Sequence, residues 1–184
     1  MSPRVLAVLV VLLVALGGGA LLVRQQQAAQ KPSDAGTLGQ PLLKGLQAAQ
    51  VTSISIRNSK DTITIVRKND RWGIAERDGF PADFDRVRDF VLKAISLKVV
   101  EVEAIGDADR ARLKLDNSGT AIQFIGADAK PLATLTLGKK YFKTEPDNPD
   151  RANGDGRYVA LPSEAKRAIL ISDPMTQAST KTSD

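Results

Sequence analysis

Residues 51–67 read VTSISIRNSKDTITIVR, and this stretch decides the fold class. Polar and apolar residues alternate through residues 51–57 and again through residues 62–67, which is the period of a half-buried β-strand. The Asn-Ser-Lys tripeptide between the two runs is typical of a turn. The stretch therefore predicts a β-hairpin with its isoleucines on the face that points to the core.

A third strand and a helix are expected after the hairpin. Residues 71–75, which include Trp72, are strand-like, and Gly79 and Pro81 then interrupt the pattern. Asp83 is an expected helix N-cap, because its side chain can accept a hydrogen bond from a free backbone N–H. Apolar residues at helical spacing follow, with charged residues between them, and predict an amphipathic helix. The apolar positions are Phe84, Val87, Phe90, Val91 and Ala94.

The second half of the chain has the same order of elements. Residues 120–125 and 132–137 predict another hairpin, and residues 157–161 predict a third strand with Tyr158 where the first unit has Trp72. We expect both aromatic side chains in the core. Pro162 and Ser163, with Ser163 as the N-cap, are expected to open a short helix that ends at Leu170. The prediction is an α+β fold: two β-β-β-α units that form an antiparallel sheet, with the helices packed on one face.

The N-terminus predicts a membrane anchor. Residues 5–23 contain no polar side chain, and a helix of this length spans about 28 Å, close to the hydrocarbon thickness of a bilayer. Arg4 before the run favours a cytoplasmic N-terminus. The alternative is a cleaved signal peptide, with residues 18–20 as a small-residue cleavage site, but the apolar run continues to Val23 and favours the anchor. Both interpretations place the remaining chain outside the cytoplasm.

The composition shifts along the chain predict four regions. These are a transmembrane anchor at residues 1–24, a flexible linker at residues 25–41, an extracytoplasmic α+β domain at residues 42–175 and a disordered tail at residues 176–184.

The residue inventory restricts the chemistry. The chain has no cysteine and no histidine, so it lacks a thiolate nucleophile, a disulfide framework and the usual general base near neutral pH. The net charge of +5 is mild and spread along the chain, which is not a nucleic-acid footprint. We therefore expect a non-enzymatic protein with no cofactor and no nucleic-acid partner.

An acidic loop is the sharpest local feature. Residues 145–156 supply several oxygen ligands of the kind that a calcium-like cation prefers, in a glycine-containing turn. In the register of an EF-hand, however, Arg151 and Pro162 occupy the first and twelfth ligand positions. The alternative is an ordinary surface loop, which has the same composition. The candidate ligands are Asp147, Asp150, Asn153 and Asp155.

Ser163 and Lys166 match the Ser-x-x-Lys pattern of penicillin-recognising serine enzymes, in which the lysine activates the serine. The chain is too short for that fold and lacks its Ser-Asp-Asn and Lys-Thr-Gly motifs. We therefore rank a small hydrolase last among the functions considered.

Several of these segments resemble a bacterial family of membrane-anchored domains of unknown function, often found beside gliding-motility-type ABC transporter subunits. The resemblance covers most of residues 43–175 and brings no catalytic residues. It rests on Val-Thr-Ser-Ile-Ser-Ile at residues 51–56, residues 62–66, Asp-Arg-Trp-Gly-Ile at residues 70–74, Phe-Pro-Ala-Asp at residues 80–83, Leu-Thr-Leu-Gly-Lys-Lys at residues 135–140, and Tyr158-Val159 ahead of Pro162-Ser163.

The resemblance implies an accessory or scaffolding protein that assists a membrane complex, such as an ABC transporter, and binds its subunits. The expected location is a bacterial inner membrane, or a membrane derived from it, crossed once, with the C-terminal domain in the periplasm or a lumen. The alternative is a divalent-cation- or mineral-associated protein of the envelope or of a specialised membrane compartment. The second alternative is the small hydrolase that uses Ser163 and Lys166.

Overall fold

The structure, a computed structural model, describes residues 36–144 and 154–180. In these two ranges no helix is long and apolar enough to cross a membrane. The apolar run at residues 5–23, on which the predicted anchor rests, lies outside the described residues. The same holds for most of the predicted linker.

The described residues form a nine-stranded antiparallel sheet and two α-helices. The strands stand in the order β4-β3-β2-β1-β6-β7-β8-β9-β5 across the sheet. Short 3-10 helices cover Ala48–Gln50, Ala75–Arg77 and Pro162–Glu164. The strands are β1 (Ser53–Arg57), β2 (Thr62–Lys68), β3 (Arg71–Ile74), β4 (Phe80–Pro81), β5 (Val99–Ala104), β6 (Thr120–Ile125), β7 (Pro131–Tyr141), β8 (Gly156–Ala160) and β9 (Arg167–Ile171), and the helices are α1 (Phe84–Ser96) and α2 (Asp107–Arg112).

Two three-stranded meanders make up the centre of the sheet. One consists of β1, β2 and β3, the other of β6, β7 and β8, and they join because β1 pairs with β6. Ser55, for example, lies opposite Thr64 of β2 on one side and Gln123 of β6 on the other. Both predicted hairpins are confirmed, and β6 has the predicted bounds.

The predicted second helix is wrong, and with it the fold as two β-β-β-α units. Pro162–Glu164 is a single 3-10 turn, and Arg167–Ile171 is the strand β9, which lies between β8 and β5. The last four residues of β9 are all buried, because the strand is covered on both faces. A short run in which every residue is apolar shows neither the helical nor the strand period, so the sequence pattern does not distinguish a buried helix from a buried strand.

The prediction that both helices pack on one face is also wrong. The core around α1 includes Val159 of β8 and Ile169 of β9. Their neighbours Ala160 and Ala168 point the other way, because side chains alternate along a strand. They pack against Leu113 and Leu115, in the segment that follows α2, as a second, smaller cluster. The chain after α2 therefore covers the face of the sheet opposite α1.

Helix α1 begins as predicted. The Asp83 side chain accepts a hydrogen bond from the Arg86 N–H at 3.1 Å, which satisfies one free donor of the first turn. Four of the five expected apolar positions are buried: Val87, Phe90, Val91 and Ala94. The ring of Phe90 stacks against Phe124 of β6 with a centroid distance of 6.1 Å. The fifth position, Phe84, is exposed, contrary to the prediction.

The chain after α2 crosses the sheet in direct backbone contact. A Cβ atom on Gly138 would lie 2.3 Å from the carbonyl oxygen of Leu113, and the next N–H, of Lys139, donates to that oxygen at 2.9 Å. The pairing of β7 with β8 shifts register here. The Arg157 Nε donates to the Gly138 carbonyl at 2.8 Å, and its Nη1 donates to the Pro174 carbonyl at 3.2 Å. The Gly138 carbonyl thus has a side-chain partner at the irregularity.

The C-terminal segment returns to the core. Met175 is fully buried, and the Asp173 carboxylate lies 3.3 Å from the Lys93 ammonium of α1. The Asn58 amide donates to the Thr180 hydroxyl at 2.6 Å, across the turn between β1 and β2. Residues 176–180, which belong to the predicted tail, therefore contact the domain. Residues 181–184 lie outside the described residues.

Both edges of the sheet are short or partly covered. At one edge, β4 contains Pro81, which has no N–H to offer to another strand. At the other edge, the N–H of Gly39 donates to the Val99 carbonyl at 2.7 Å, and the Val99 N–H donates to the Gln40 carbonyl at 3.0 Å. Such features limit strand pairing between molecules.

We expect Gly138→Ala to lower the free energy of unfolding by about 1–3 kcal/mol, because the new methyl group meets backbone that must move. Gly36→Ala is the matched control, since nothing lies within 4 Å of its added Cβ, and its effect should stay within about 0.5 kcal/mol. Urea unfolding of both variants measures the difference. Equal stabilities would show that the chain after α2 does not cross at Gly138.

Candidate functional site

Three of the four predicted cation ligands, Asp147, Asp150 and Asn153, lie outside the described residues. The fourth, Asp155, is exposed, and its carboxylate accepts a hydrogen bond from the Lys143 N–H at 2.9 Å. Its own N–H donates to the Tyr141 carbonyl at 2.8 Å. Within the described ranges, no group of three or more Asp, Glu, His or Cys side chains is placed to hold a metal ion.

Ser163 and Lys166 do not form a catalytic pair in the structure. Both side chains are exposed, and among the described residues no hydrogen bond joins them. Ser163 is not an N-cap either, because Leu161 occupies that position and no side chain caps the turn. The expected cap fails because the segment makes only one 3-10 turn before β9.

Trp72 and Tyr158 do not occupy equivalent places. Trp72 belongs to the core around α1, whereas Tyr158 lies on the opposite face and meets Tyr141 edge to face, with a centroid distance of 6.1 Å. Burial raises the pKa of Tyr158, and the nearby carboxylates of Glu103 and Glu101 raise it further. A shift of one residue between the two meanders is enough to move a side chain to the other face.

An apolar cleft of about 510 Å³ lies beside the first residues of β7. Strand β8 ends at Ala160, opposite Thr136, so the first residues of β7 have no partner on that side. The walls include Leu43, Val102 and Leu132, and Lys44 and Glu164 lie among the lining residues.

An exposed stripe on α1 carries aromatic and apolar side chains. Phe84 is 57% exposed and Leu92 is 50% exposed, and Arg88 lies between them in sequence. Residues four apart are neighbours on a helix surface. The Arg88 guanidinium lies 5.9 Å from the centre of the Phe84 ring. We call Phe84, Arg88 and Leu92 the α1 stripe.

A polar cleft of about 760 Å³ lies at the end of β1. Two arginines line it: Arg57, the last residue of β1, and Arg110 of α2. Arg110 donates a hydrogen bond to the Ala165 carbonyl. Asp116 is the one carboxylate among the lining residues that the structure gives for this cleft. We call this site the arginine cleft; its other lining residues are Asn58, Ser59, Leu115, Asn117, Gly119, Ala121 and Thr136.

Asp116 has its own hydrogen-bond partner. One carboxylate oxygen accepts the Ser118 hydroxyl at 2.5 Å and the Ser118 N–H at 3.0 Å. These hydrogen bonds lower the pKa of Asp116, and the positive charge of Arg110 contributes in the same direction. The sequence does not indicate the arginine cleft, because Arg57 and Arg110 are far apart in the chain and belong to no motif.

Comparison of the chain with protein families, characterised proteins and solved structures gives no match. The resemblance to the membrane-anchored bacterial family therefore stays a prediction.

We expect Ser118→Ala to raise the pKa of Asp116 toward its ordinary value, because the serine hydroxyl stabilises the ionised form. NMR titration of the side-chain carboxyl carbon measures this. Asp128 is an internal control: the Lys130 ammonium and N–H lower its pKa independently, and it should not change. A lowered pKa stabilises the fold at pH above the ordinary value, and that contribution is lost as the pH falls through the lowered pKa. An unchanged Asp116 titration would contradict the assigned hydrogen bond.

Proposed function

We propose that this protein is a non-enzymatic accessory module, anchored by residues 5–23, that assists a membrane complex from the extracytoplasmic side. The observation that carries the proposal is the α1 stripe, which leaves an aromatic ring and an apolar side chain exposed on the one long helix of the described domain. The partner that we infer is a protein subunit with an apolar pocket. A bacterial inner membrane, or a membrane derived from it, is the proposed location.

The side chains of the α1 stripe are of the kinds that dominate protein interfaces. Aromatic residues and arginine are enriched at binding hot spots, whereas lysine and glutamate are depleted. Two ion pairs hold Arg88 beside the Phe84 ring: its guanidinium lies 2.8 Å from the Asp85 carboxylate and 3.1 Å from the Asp89 carboxylate. An arginine oriented in this way loses less conformational entropy on binding.

The charges around the α1 stripe favour a protein over a lipid surface. The three aspartates of this segment are matched by three basic residues, so the surface of α1 carries no net positive charge. Anionic lipid headgroups attract segments with a net positive charge, which this helix lacks. A protein pocket with an apolar centre and a polar rim accommodates both the ring and the flanking charges.

Two observations support binding over catalysis. The chain has no histidine or cysteine, and Ser163 and Lys166, the candidate nucleophile and base, are not hydrogen-bonded to each other in the described part of the chain. A general base must lie within hydrogen-bond reach of the group that it activates.

We expect the full-length protein to remain in the membrane pellet after extraction with alkaline carbonate, because an apolar run of this length spans a bilayer. Replacement of residues 1–23 by a cleavable leader should move the protein to the soluble fraction. As a control, mass spectrometry of the mature wild-type protein should give the mass of a chain that retains residues 1–23. A wild-type protein shortened near residue 20 would instead establish the signal-peptide interpretation.

We expect affinity purification of the full-length protein from gently solubilised native membranes to recover subunits of one membrane complex in constant ratio. The double variant Phe84→Ser/Leu92→Ser should lose them, since truncation of hot-spot side chains commonly costs about 2 kcal/mol or more of binding free energy. Leu132→Ser, at an exposed apolar residue outside α1, is the matched control and should retain them. Retention by the double variant would overturn the assignment of the α1 stripe.

A further inference from the structure

We propose that the arginine cleft is a binding site for a phosphate group, carried by a small ligand or by a larger envelope component. The site is independent of the α1 stripe. Arg57 alternates along β1 with Ile54 and Ile56, which belong to the core around α1, so its side chain points to the opposite face of the sheet.

The two guanidinium groups in the cleft have few hydrogen-bond or ion-pair partners within the described residues. The Arg57 guanidinium forms no hydrogen bond or ion pair within the described residues, and the Arg110 guanidinium donates a hydrogen bond only to the Ala165 carbonyl. Such groups offer N–H donors and positive charge to a bound anion.

The carboxylate of Asp116 does not neutralise the pair. It forms no ion pair with either arginine in the described structure, and one of its oxygens already accepts two hydrogen bonds from Ser118. The charged side chains that line the cleft are two arginines and this one aspartate, which leaves a net positive charge.

The backbone around the cleft is held in place. Arg57 lies between two paired strands, opposite Thr62 of β2 and Ala121 of β6. Ala121 lines the cleft with a small side chain. At Gly119 the Lys114 carbonyl oxygen lies 2.3 Å from where a Cβ atom would stand, so the chain after α2 packs directly against the sheet there. The sheet therefore fixes the backbone from which the Arg57 side chain extends, and the contact with Ala165 orients the Arg110 side chain.

The donor set fits phosphate better than carboxylate. Each guanidinium presents several N–H groups in a planar fork, and Asn117 and Ser59 add an amide and a hydroxyl to the lining. A carboxylate offers two acceptor oxygens, whereas a phosphate group offers three or four that can accept from more than one direction. Arginine is the residue most used for such bidentate contacts.

The experiment is an NMR titration of the detergent-solubilised full-length protein with inorganic phosphate at constant ionic strength. The signals of the Arg57 and Arg110 Nε–H groups should shift saturably, and those of Arg86, an exposed arginine on α1, should not. Arg57→Gln and Arg110→Gln should each weaken phosphate binding about tenfold or more, which corresponds to one charge-assisted hydrogen-bonding group. Arg86→Gln is the matched control and should bind normally.

Two further titrations identify the kind of ligand. Acetate should bind at least about tenfold more weakly than phosphate if the number of acceptor oxygens decides affinity. Vesicles that contain a phosphomonoester lipid, compared with vesicles of a zwitterionic lipid, distinguish a membrane source of the phosphate from a soluble one. Non-saturable shifts, equal shifts at Arg86, equal affinity for acetate, or unchanged binding in correctly folded Arg57→Gln protein would each overturn the proposal. Thermal unfolding of each variant establishes that it is folded.

Discussion

One hydrophobic core cluster that includes α1 covers the inner face of the described sheet, and the other features of the domain depend on it. Nine strands placed side by side would be about 38 Å wide, whereas α1 is about 20 Å long and about 10 Å across. Yet the core cluster around α1 contains residues of eight strands, all except β4. Helix α1 is too narrow to cover all of them, so Leu42, Leu46 and Met175, from segments outside the sheet, complete this apolar layer. The outer face of the sheet is left for the chain after α2 and for solvent, and the arginine cleft lies on that face.

Local patterns predicted the local structure. Strict alternation placed both hairpins, and the Asp83 cap with apolar residues at helical spacing placed α1. Both periods are properties of a few neighbouring residues, so the sequence displays them directly. The sequence predicts a helix where β9 stands, because Ala168 to Ile171 are all apolar and burial on both faces removes the alternation of a strand. The pairing of β1 with β6 and of β5 with β9 joins residues far apart in the chain, and no local pattern encodes it.

The candidate sites were harder to predict for the same reason. Phe84 has the helical spacing of a core residue, but it is the first residue of α1 and extends beyond the cover of the sheet, which periodicity alone does not show. Arg57 and Arg110 reach one cleft only because β1 and the chain around α2 lie on the same side of the domain. Of the four predicted cation ligands, Asp155 alone lies among the described residues, where its carboxylate accepts a hydrogen bond from the Lys143 N–H.

The position of β9 also sets an order of events during synthesis. Strand β5 has β9 as its only strand partner in the described sheet, and β9 is made last, more than sixty residues after β5. While the chain emerges, the edge of β5 that pairs with β9 stays unpaired, although Gly39 and Gln40, which bond to Val99 at the other edge, are already made. Pairing at such sequence separations slows folding and exposes the chain to aggregation in the meantime. This edge of the described sheet can therefore be completed only after β9 has left the ribosome.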